Sequence, residues 1–547
     1  MADELVVDKR AQEIISLEER ERGKQSNFRT LWQDTSDLNY PRENRIVDKT
    51  TPGEEKMNRV YDTTAITESQ NMASGLSQNL VPPGQRFFAL KASNRDIQEV
   101  DAVKSYLNKA TETIHDLLFA SNFMLQLVET LRSLVVFGTG NLFSEFSQQT
   151  QSLNFKDYAI GTYQILENAA GRVDTVILKF PLTARQASQE FENPGKSVTE
   201  ALDKPDSSEK EFEFIHIVRP RKKRNLNLTD NLNMPFESLF VAVKDQEVID
   251  EGGFEDIAFQ VPRWLKSSTE KYGRGIGTEL LPHTRMLQNI KADLNETSGK
   301  YARPPLEVLE SFEGEVDMSD DALNYVAEMG SIKAIERDAR GNPIITDKFL
   351  EMERQVTRDA YFSSAFSPIT GLTGDRRNML EIRQRVLESF KKIGSPIGRI
   401  QSELFTPTIE RVVGLLLVNR KLPEPPPELQ GQDFKVEYIG ALSLALQSSE
   451  VEAAQQWIGV IAEIEQIEPG AKDHVNFGET IRRMGRTFGV NEEDIASLEE
   501  VKVKREKRAK AIAEQKQLEA TAIAGQAYGQ TTGAPEEGSP AAALMGT

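Results

Sequence analysis

The chain of 547 residues contains no cysteine. That absence removes disulfides, thiolate zinc sites and cysteine nucleophiles together, and it suits a reducing compartment. Histidine is nearly as scarce: His115, His216, His283 and His474 lie far apart, so no metal centre is expected and the four read as unrelated core or surface residues. Long apolar runs are missing too. The longest, Val412 to Val418, is too short to span a bilayer, and "MADELVVDKRAQEII" carries charges where a signal peptide needs an apolar stretch. The expectation is a soluble protein made in the cytoplasm, with no membrane partner.

Catalytic motifs are absent as well. There is no Gly-x-x-x-x-Gly-Lys-Ser/Thr loop, no His-Glu-x-x-His and no Gly-x-Ser-x-Gly. "YGRGIG", with glycines at 273, 275 and 277, lacks the strand-to-helix context and downstream acid of a dinucleotide site and reads as a flexible approach to a helix. With 85 acidic residues some carboxylate pair looks catalytic by chance. The chain is therefore expected not to be an enzyme, with no catalytic residue, no metal and no cofactor.

What is present suits a large, wet, multi-part molecule. Hydrophobic residues make up 38% and charged residues 28%, enough to bury real cores, and the length exceeds one compact core. The formal charge is −19. A protein that grips duplex DNA neutralises phosphates with Lys and Arg, so this chain is not built to grip.

Periodicity predicts a fold of the α+β class, mainly helical. One helical region carries Ile14, Leu17, Phe28, Leu31 and Trp32 up to Pro41. Thr51, Pro52 and Glu54 predict the start of a second, running through Met57, Val60, Tyr61, Met72, Leu76 and Leu80. Val103, Leu107, Ala110, Ile114 and Leu117 mark a third, and Phe123, Leu127, Leu131 and Leu134 a fourth, broken by Gly138 and Gly140. From Leu142 to about Trp264 the pattern alternates as strands do: "TYQILENAAGRVDTVILKF" is two runs around an Asn-Ala-Ala-Gly turn, followed by "FEFIHIVRP" and "FESLFVAVKDQEVIDEGGF". Arg219, Arg221, Lys222, Lys223 and Arg224 form a basic cluster, read as a solvated hairpin tip rather than a nucleic-acid patch because no aromatic or glycine residues interleave it. Past Leu306 come eight acids and no base up to Glu328, without the Asp-x-Asp-x-Asp-Gly spacing of a calcium loop, so a partner-facing acidic surface is expected. A helix from about Lys348 to Tyr361 then precedes the Gly/Ser/Thr-rich loop Ser364 to Asn378, whose only cations are Arg376 and Arg377. Further on, Gly394 with Pro396 predicts a bend, "LPEPPPELQG" a stiff linker, and Ser449 with Glu452 a capping box.

The segment from Tyr272 to Pro305 is the most informative. Leu280, Leu287, Ile290 and Leu294, with His283, follow a three-four spacing that draws one narrow seam along a helix about 30 Å long. A seam that narrow suits packing against neighbouring helices. "EKYGRGIGTELLPHTRMLQNIKADLNETSGKYARPP" resembles the corresponding region of the head-to-tail connectors, or portal proteins, of short-tailed bacteriophages. "YAIGTYQILENAAGRVDTVILKF" and "EIRQRVLESFKKIGSPIGRIQSELFTPTIERVV" are similar to the same family and occur in the family's order.

The resemblance implies an elongated subunit in a ring of twelve around a DNA channel at one capsid vertex, for genome packaging, retention and ejection. It divides the chain into a wing at 1–275, helical to 140 and strand-rich over 141–265, and a first stem helix at 276–300. A clip follows at 301–346, a second stem helix at 347–363 and a tunnel loop at 364–378. The remainder is a wing return at 379–439, a crown at 440–500, a barrel helix at 501–526 and a disordered tail at 527–547. Leu280, Leu287, Ile290 and Leu294 are implied to pack between subunits, Arg376 and Arg377 to touch DNA, and Glu310, Glu313, Glu315 and Asp317 to face a partner. Implied partners are further copies of the chain, double-stranded DNA, the terminase, a tail adaptor, the major capsid protein and scaffolding or internal core proteins, all in the virion. The acidity then has a use, since every phosphate contact held is friction on a sliding duplex. An alternative from the residues alone is an acidic capsid scaffolding or adaptor protein that never encircles DNA; a metal-dependent nuclease is a third.

Overall fold

A computed structural model describes residues 8–43, 46–47, 53–58, 60–98, 100–204, 207–228, 230–302, 306–310, 315–317, 324–326, 329, 331–334, 343–363, 393–439, 456–465, 470, 475–487, 496 and 498–531. The chain divides into two units, Met1–Ser448 and Ser449–Thr547.

The helical body of the first unit begins with α1 (Lys9–Lys24), opened by the Asp8 carboxylate accepting the Arg10 N–H, and α2 (Ser26–Asn39). These are two helices where one region was expected, separated at Gln25. Next is α3 (Thr64–Leu80), and here the sequence reading from Thr51 fails. Residues 53–58 are not helical, and Met57 and Tyr61 are about half exposed. The helix starts where the buried Asp62 carboxylate accepts the Thr64 N–H, so a tertiary anchor overrides the local capping pattern. After the short α4 (Arg95–Gln98) come α5 (Asp101–Ala120) and α6 (Phe123–Phe137), whose stripes at Val103, Leu107, Ala110 and Ile114 and at Phe123, Leu127, Leu131 and Leu134 are buried together.

Strands assemble on this body. β1 (Phe88–Ala92) pairs with a strand near residue 436 and is described with it below. β2 (Leu142–Ser147), β3 (Ser152–Asp157), β4 (Tyr163–Glu167) and β5 (Val173–Thr183) follow; Asn168 Oδ1 closes the β4–β5 turn by accepting the Ala170 and Arg172 N–H groups. Helices α7 (Ala184–Glu190) and α8 (Lys196–Leu202) lead to β6 (Glu211–Pro220), β7 (Phe236–Ala242), β8 (Glu247–Phe254) and β9 (Phe259–Gln260). β4 to β8 form one antiparallel five-stranded sheet in sequence order, and β9 joins β2 and β3 in a second. Both faces of the larger sheet are buried at its centre. Ile177, Ile215, Ile217, Leu239 and Val241 pack on Ala11 and Ile14 of α1, while Phe212, Phe214 and Ala242 on the other face meet α7 and α8. Burial along β6 therefore stops alternating from Phe214 to Val218, where the sequence pattern read as an alternating strand.

After α9 (Ile276–Glu279), α10 (Leu281–Ala302) and the returning α11 (Pro343–Ala360) run as a pair. Helix α11 starts five residues before Lys348 because Pro343 suits a first helical turn, where its missing N–H costs nothing. β10 (Leu306–Val308) pairs antiparallel with β11 (Ile332–Ala334) beyond the helix pair. Then α12 (Gly394–Ile400), a π turn at Gln401–Phe405 and α13 (Thr406–Val418) form a continuous helical path through the main core. Gly394 and Pro396 open that path rather than bend it, and the distortion sits ahead of Pro407, which has no N–H for the preceding turn. β12 (Phe434–Tyr438) pairs with β1 across most of the unit's length in sequence.

The second unit contains helical residues 456–464 and helices Phe477–Thr487 and Leu498–Thr531. Residues 502 to 520 of the last are exposed throughout. The expected loop Ser364 to Asn378 with Arg376 and Arg377, the first part of the wing return at 379–392, Glu313 and the Ser449–Glu452 box lie outside the described residues. Mixed helix and antiparallel sheet place the protein in the α+β class. No helix among the described residues is long and apolar enough to cross a membrane.

Candidate functional site

The α10–α11 pair is mounted on the body by backbone packed on backbone. Helix α6 ends at Gly138 in the left-handed conformation, φ +90°. A Cβ at Gly273 would stand 2.2 Å from Gly138 O, one at Gly275 2.5 Å from both Gly138 N and Val135 O, and one at Gly277 2.7 Å from Val136 O. The glycines therefore do not make a flexible approach, as their spacing first implied. They let the segment entering α9, and the first turn of α9 itself, lie directly on the end of α6, an approach that a Cβ at these positions would block. Hydrogen bonds fill in the contact: Gly273 N donates to Thr139 Oγ1 at 3.0 Å, Trp264 N to Gly138 O at 2.9 Å, and Asn39 Nδ2 to Gly277 O at 3.2 Å. Tyr272, just before the glycines, is buried against Phe28 and Trp32, and its hydroxyl accepts the Ile165 N–H of β4. Burial pushes that phenol's pKa up, so it stays a neutral anchor.

A second mount grips both helices at once. Gln288 of α10 accepts the N–H groups of Tyr61 and Asp62 at 2.7 and 2.8 Å and donates to Asp62 O at 2.7 Å. Arg354 of α11 donates through Nε to Asp62 Oδ2 at 2.8 Å, while Asp62 Oδ1 starts α3. Burial alone would raise the Asp62 pKa, but hydrogen bonds from Thr64 and Arg354 with the Arg354 charge outweigh it and hold the carboxyl below its ordinary value. One aspartate thus joins α3, α10 and α11. Sequence reading missed it because a helix was expected to run straight through it; the Asp-Thr-Thr at 62–64 is the cap signal that was available.

Between the two helices lies the narrow seam. Leu287 and Leu294 are buried against Leu350 of α11, with Ile290 partly buried beside them, all within one chain. His283 Nε2 stands 3.0 Å from Glu353 Oε2 on the facing turn. Leu280 sits just outside the seam, at the α9–α10 junction, and packs on the main core instead. On the surface turned away from Asp62 the pair carries apolar side chains: Met286 (40% exposed) of α10, and Phe349 (49%), Met352 (59%) and Val356 (45%) of α11.

Other singled-out residues are scattered. Glu310, Glu315 and Asp317 lie past α10; Glu310 and Glu315 are exposed, and the Asp317 backbone is tied to the Asn324 amide at 2.8 and 2.7 Å. In the basic cluster, Arg219 pairs with Glu237, Arg221 holds Glu251 and Gly252 O, and Lys222, Lys223 and Arg224 are exposed in the β6–β7 connection. His115 and His216 are core residues, stacked on Phe88 and Phe240; burial takes their pKa values down to about 4 and about 3. Among the described residues no three His, Asp or Glu side chains stand where they could hold a metal ion. What the region offers is a rigidly mounted helix pair with an unfilled apolar flank, and its chemistry is that of contact.

Comparison with known proteins gives the same direction. The sequence profile described as "Bacteriophage head to tail connecting protein" matches residues 11–495. The portal protein of Salmonella phage epsilon15 is 24% identical over 498 residues, covering 89% of each chain. A probable portal protein of Bordetella phage BPP-1 is 24% identical over 499 residues, again 89% of each.

Proposed function

The chain belongs to the family of bacteriophage head to tail connecting proteins, and on that premise we propose that it is a portal protein. In this reading it forms a ring at one vertex of a capsid, around the channel through which double-stranded DNA is packaged, retained and ejected. The observation that carries this is the match from residue 11 to 495, with relatives of portal name aligned along 89% of both chains. So long a collinear match concerns the whole subunit rather than one shared module.

The geometry supports the reading. A channel wall must hold its shape while a charged polymer slides past, and the helix pair is fixed to the body by glycine packing and by the Asp62 junction. A charge of −19 disfavours lasting phosphate contact. In the proposed subunit α10 and α11 are the stem, the acid-rich segment with Glu310, Glu313, Glu315 and Asp317 is the clip that docks the terminase and then the tail adaptor, and residues 364–378 form the tunnel loop. Residues 1–275 and 379–439 make the wing, 440–500 the crown and 501–526 a barrel. Arg376 and Arg377 brake DNA through brief phosphate contacts repeated around a ring of twelve. Energy for packaging comes from the terminase.

Negative-stain images of the purified protein test the central claim. Closed rings with a central hole are expected; a protein that stays monomeric, or forms aggregates without a hole, defeats it. For the loop, particles carrying Arg376→Ala and Arg377→Ala should lose packaged DNA before tail attachment. Full genomes retained as in wild type would remove the two arginines from the mechanism.

A further inference from the structure

The seam first expected to join subunits is consumed inside one chain, because Leu287, Leu294 and Leu350 bury one another. A lateral contact made by the helix pair then needs another face. On α11, Leu350, Glu353 and Thr357 point inward, and Arg354 reaches Asp62 on one side. At 100° per residue, Phe349, Met352 and Val356 fall on the opposite side. On α10, Gln288 faces Asp62, and Met286, two positions earlier, falls on that same far side. The four residues form one apolar strip along both helices, pointing away from the body that holds them.

Each is between 40% and 59% exposed, and they adjoin one another on a chain that otherwise carries −19 of charge. The strip offers on the order of 400 Å² of apolar surface, at the size where patches on isolated proteins mark an interface. That is roughly half of what each partner contributes to a stable contact, so it forms the dry centre of an interface and polar rims complete it. Exposed charges of both signs rim it: Asp293 on α10, and Lys348 and Asp359 at the two ends of the strip on α11. A copy of the same helix pair, displaced sideways, can set Lys348 of one subunit against an acid of the next.

We propose that Met286, Phe349, Met352 and Val356 are the hydrophobic centre of the contact between adjacent copies of this chain. The contact is heterologous, the strip of one subunit packing on a different face of the next, which is the geometry that closes rings. The proposal rests on the ring reading above and assigns its lateral seam to the outer flank of the stem.

Two measurements test it on the full chain. Met352→Glu combined with Val356→Glu should raise the concentration for half-assembly on the order of a hundredfold, since a buried contact then holds two unpaired charges. The circular dichroism spectrum should be unchanged, because both residues are exposed in the single chain. The absence of cysteine allows a direct second readout. The single thiol of a Met352→Cys variant should react with maleimide at least about tenfold more slowly in assembled protein than in monomer, while that of Lys222→Cys at the β6–β7 connection reacts equally in both. If wild type assembles and the double variant assembles equally well, or the thiol of Met352→Cys stays reactive in the ring, the strip is not the seam and the ring reading stands. If wild type itself never assembles, the ring reading falls and the proposal with it.

Discussion

Replacing Gly275 with alanine probes the mount of the helix pair most sharply. Its backbone is extended, φ −91° and ψ 167°, so alanine meets no conformational objection and the whole effect is steric. The new Cβ would stand 2.5 Å from Gly138 N, 2.5 Å from Val135 O and 2.7 Å from Val136 O. All three are backbone atoms of α6 or its cap, and no side chain can rotate away to make room. The α10 segment must then lift off α6 by about 1 Å, stretching the hydrogen bonds at Thr139 and Asn39. Overpacking of this kind costs about 1–3 kcal/mol, and contact with three backbone atoms at once puts Gly275→Ala near the upper figure. The matched control is Gly299→Ala. It is also in the α10 region, is exposed on a helix and has nothing within 4 Å of the added carbon, so it should stabilise by about 0.5–1 kcal/mol. Urea unfolding followed by circular dichroism, at one fixed oligomeric state, gives both numbers. A Gly275→Ala protein with an unchanged midpoint would show that the glycines are replaceable and that the close approach is not what they are for.

Stability should fall as pH drops from about 6.5 towards 4, because His216 and His115 are held neutral by burial, at about 3 and about 4, while the unfolded chain takes up the protons. The depressed value means that this stability is complete above pH 6.5 and is lost on acidification; His216→Asn should flatten that slope of urea midpoint against pH, and an unaltered slope refutes the assignment. Asp62 acts lower, its contribution being complete above about pH 4 and lost below it as its depressed pKa is crossed, so Asp62→Asn should remove that acid limb and weaken protection of α3, α10 and α11 together in hydrogen exchange. Protection lost in α3 alone would show that the aspartate is only a cap. Leu287→Ala should cost about 2–5 kcal/mol locally, speeding exchange over residues 281–302 and 343–360 while β5 and β6 amides keep their protection; equal loss in both places contradicts a separate seam.

Where periodicity and burial share one cause, the sequence was readable. The α5 and α6 stripes and the Asn168 turn follow from local spacing that the core then uses, and strands β5 to β8 stand where the pattern changed, although burial on both faces removes the alternation at their centre. The failures have one physical type. Thr51, Pro52 and Glu54 carried a good capping pattern, yet residues 53–58 are not helical and α3 starts at Thr64, because Asp62 is held by Gln288 and Arg354, more than 220 residues away in sequence. "FFALKA" gave no sign of β1, whose partner β12 lies some 340 residues on. The seam of α10 was legible as a seam, but spacing cannot say whether the helix meeting it belongs to the same chain. Leu350 answers that within the subunit, and its neighbour Phe349, one position round the helix, becomes the residue left over.

The placement of rigidity in this region bears on how it can work. At its near end the pair is fixed by glycine contact to α6, by Tyr272 in the aromatic cluster and by the Asp62 junction. Beyond His283 and Glu353 the described apolar contacts between the helices reduce to Leu287, Ile290, Leu294 and Leu350, a cluster separate from the main core. A helix pair built that way has stability that declines with distance from the body, since little apolar area opposes splaying. In a single chain that is a weakness. Met286, Phe349, Met352 and Val356 lie beside His283, Leu287, Leu350 and Glu353, in the half of the pair nearer the body, so a neighbour laid on the strip would brace that mounted half and leave the stretch beyond Leu294 to its internal contacts alone.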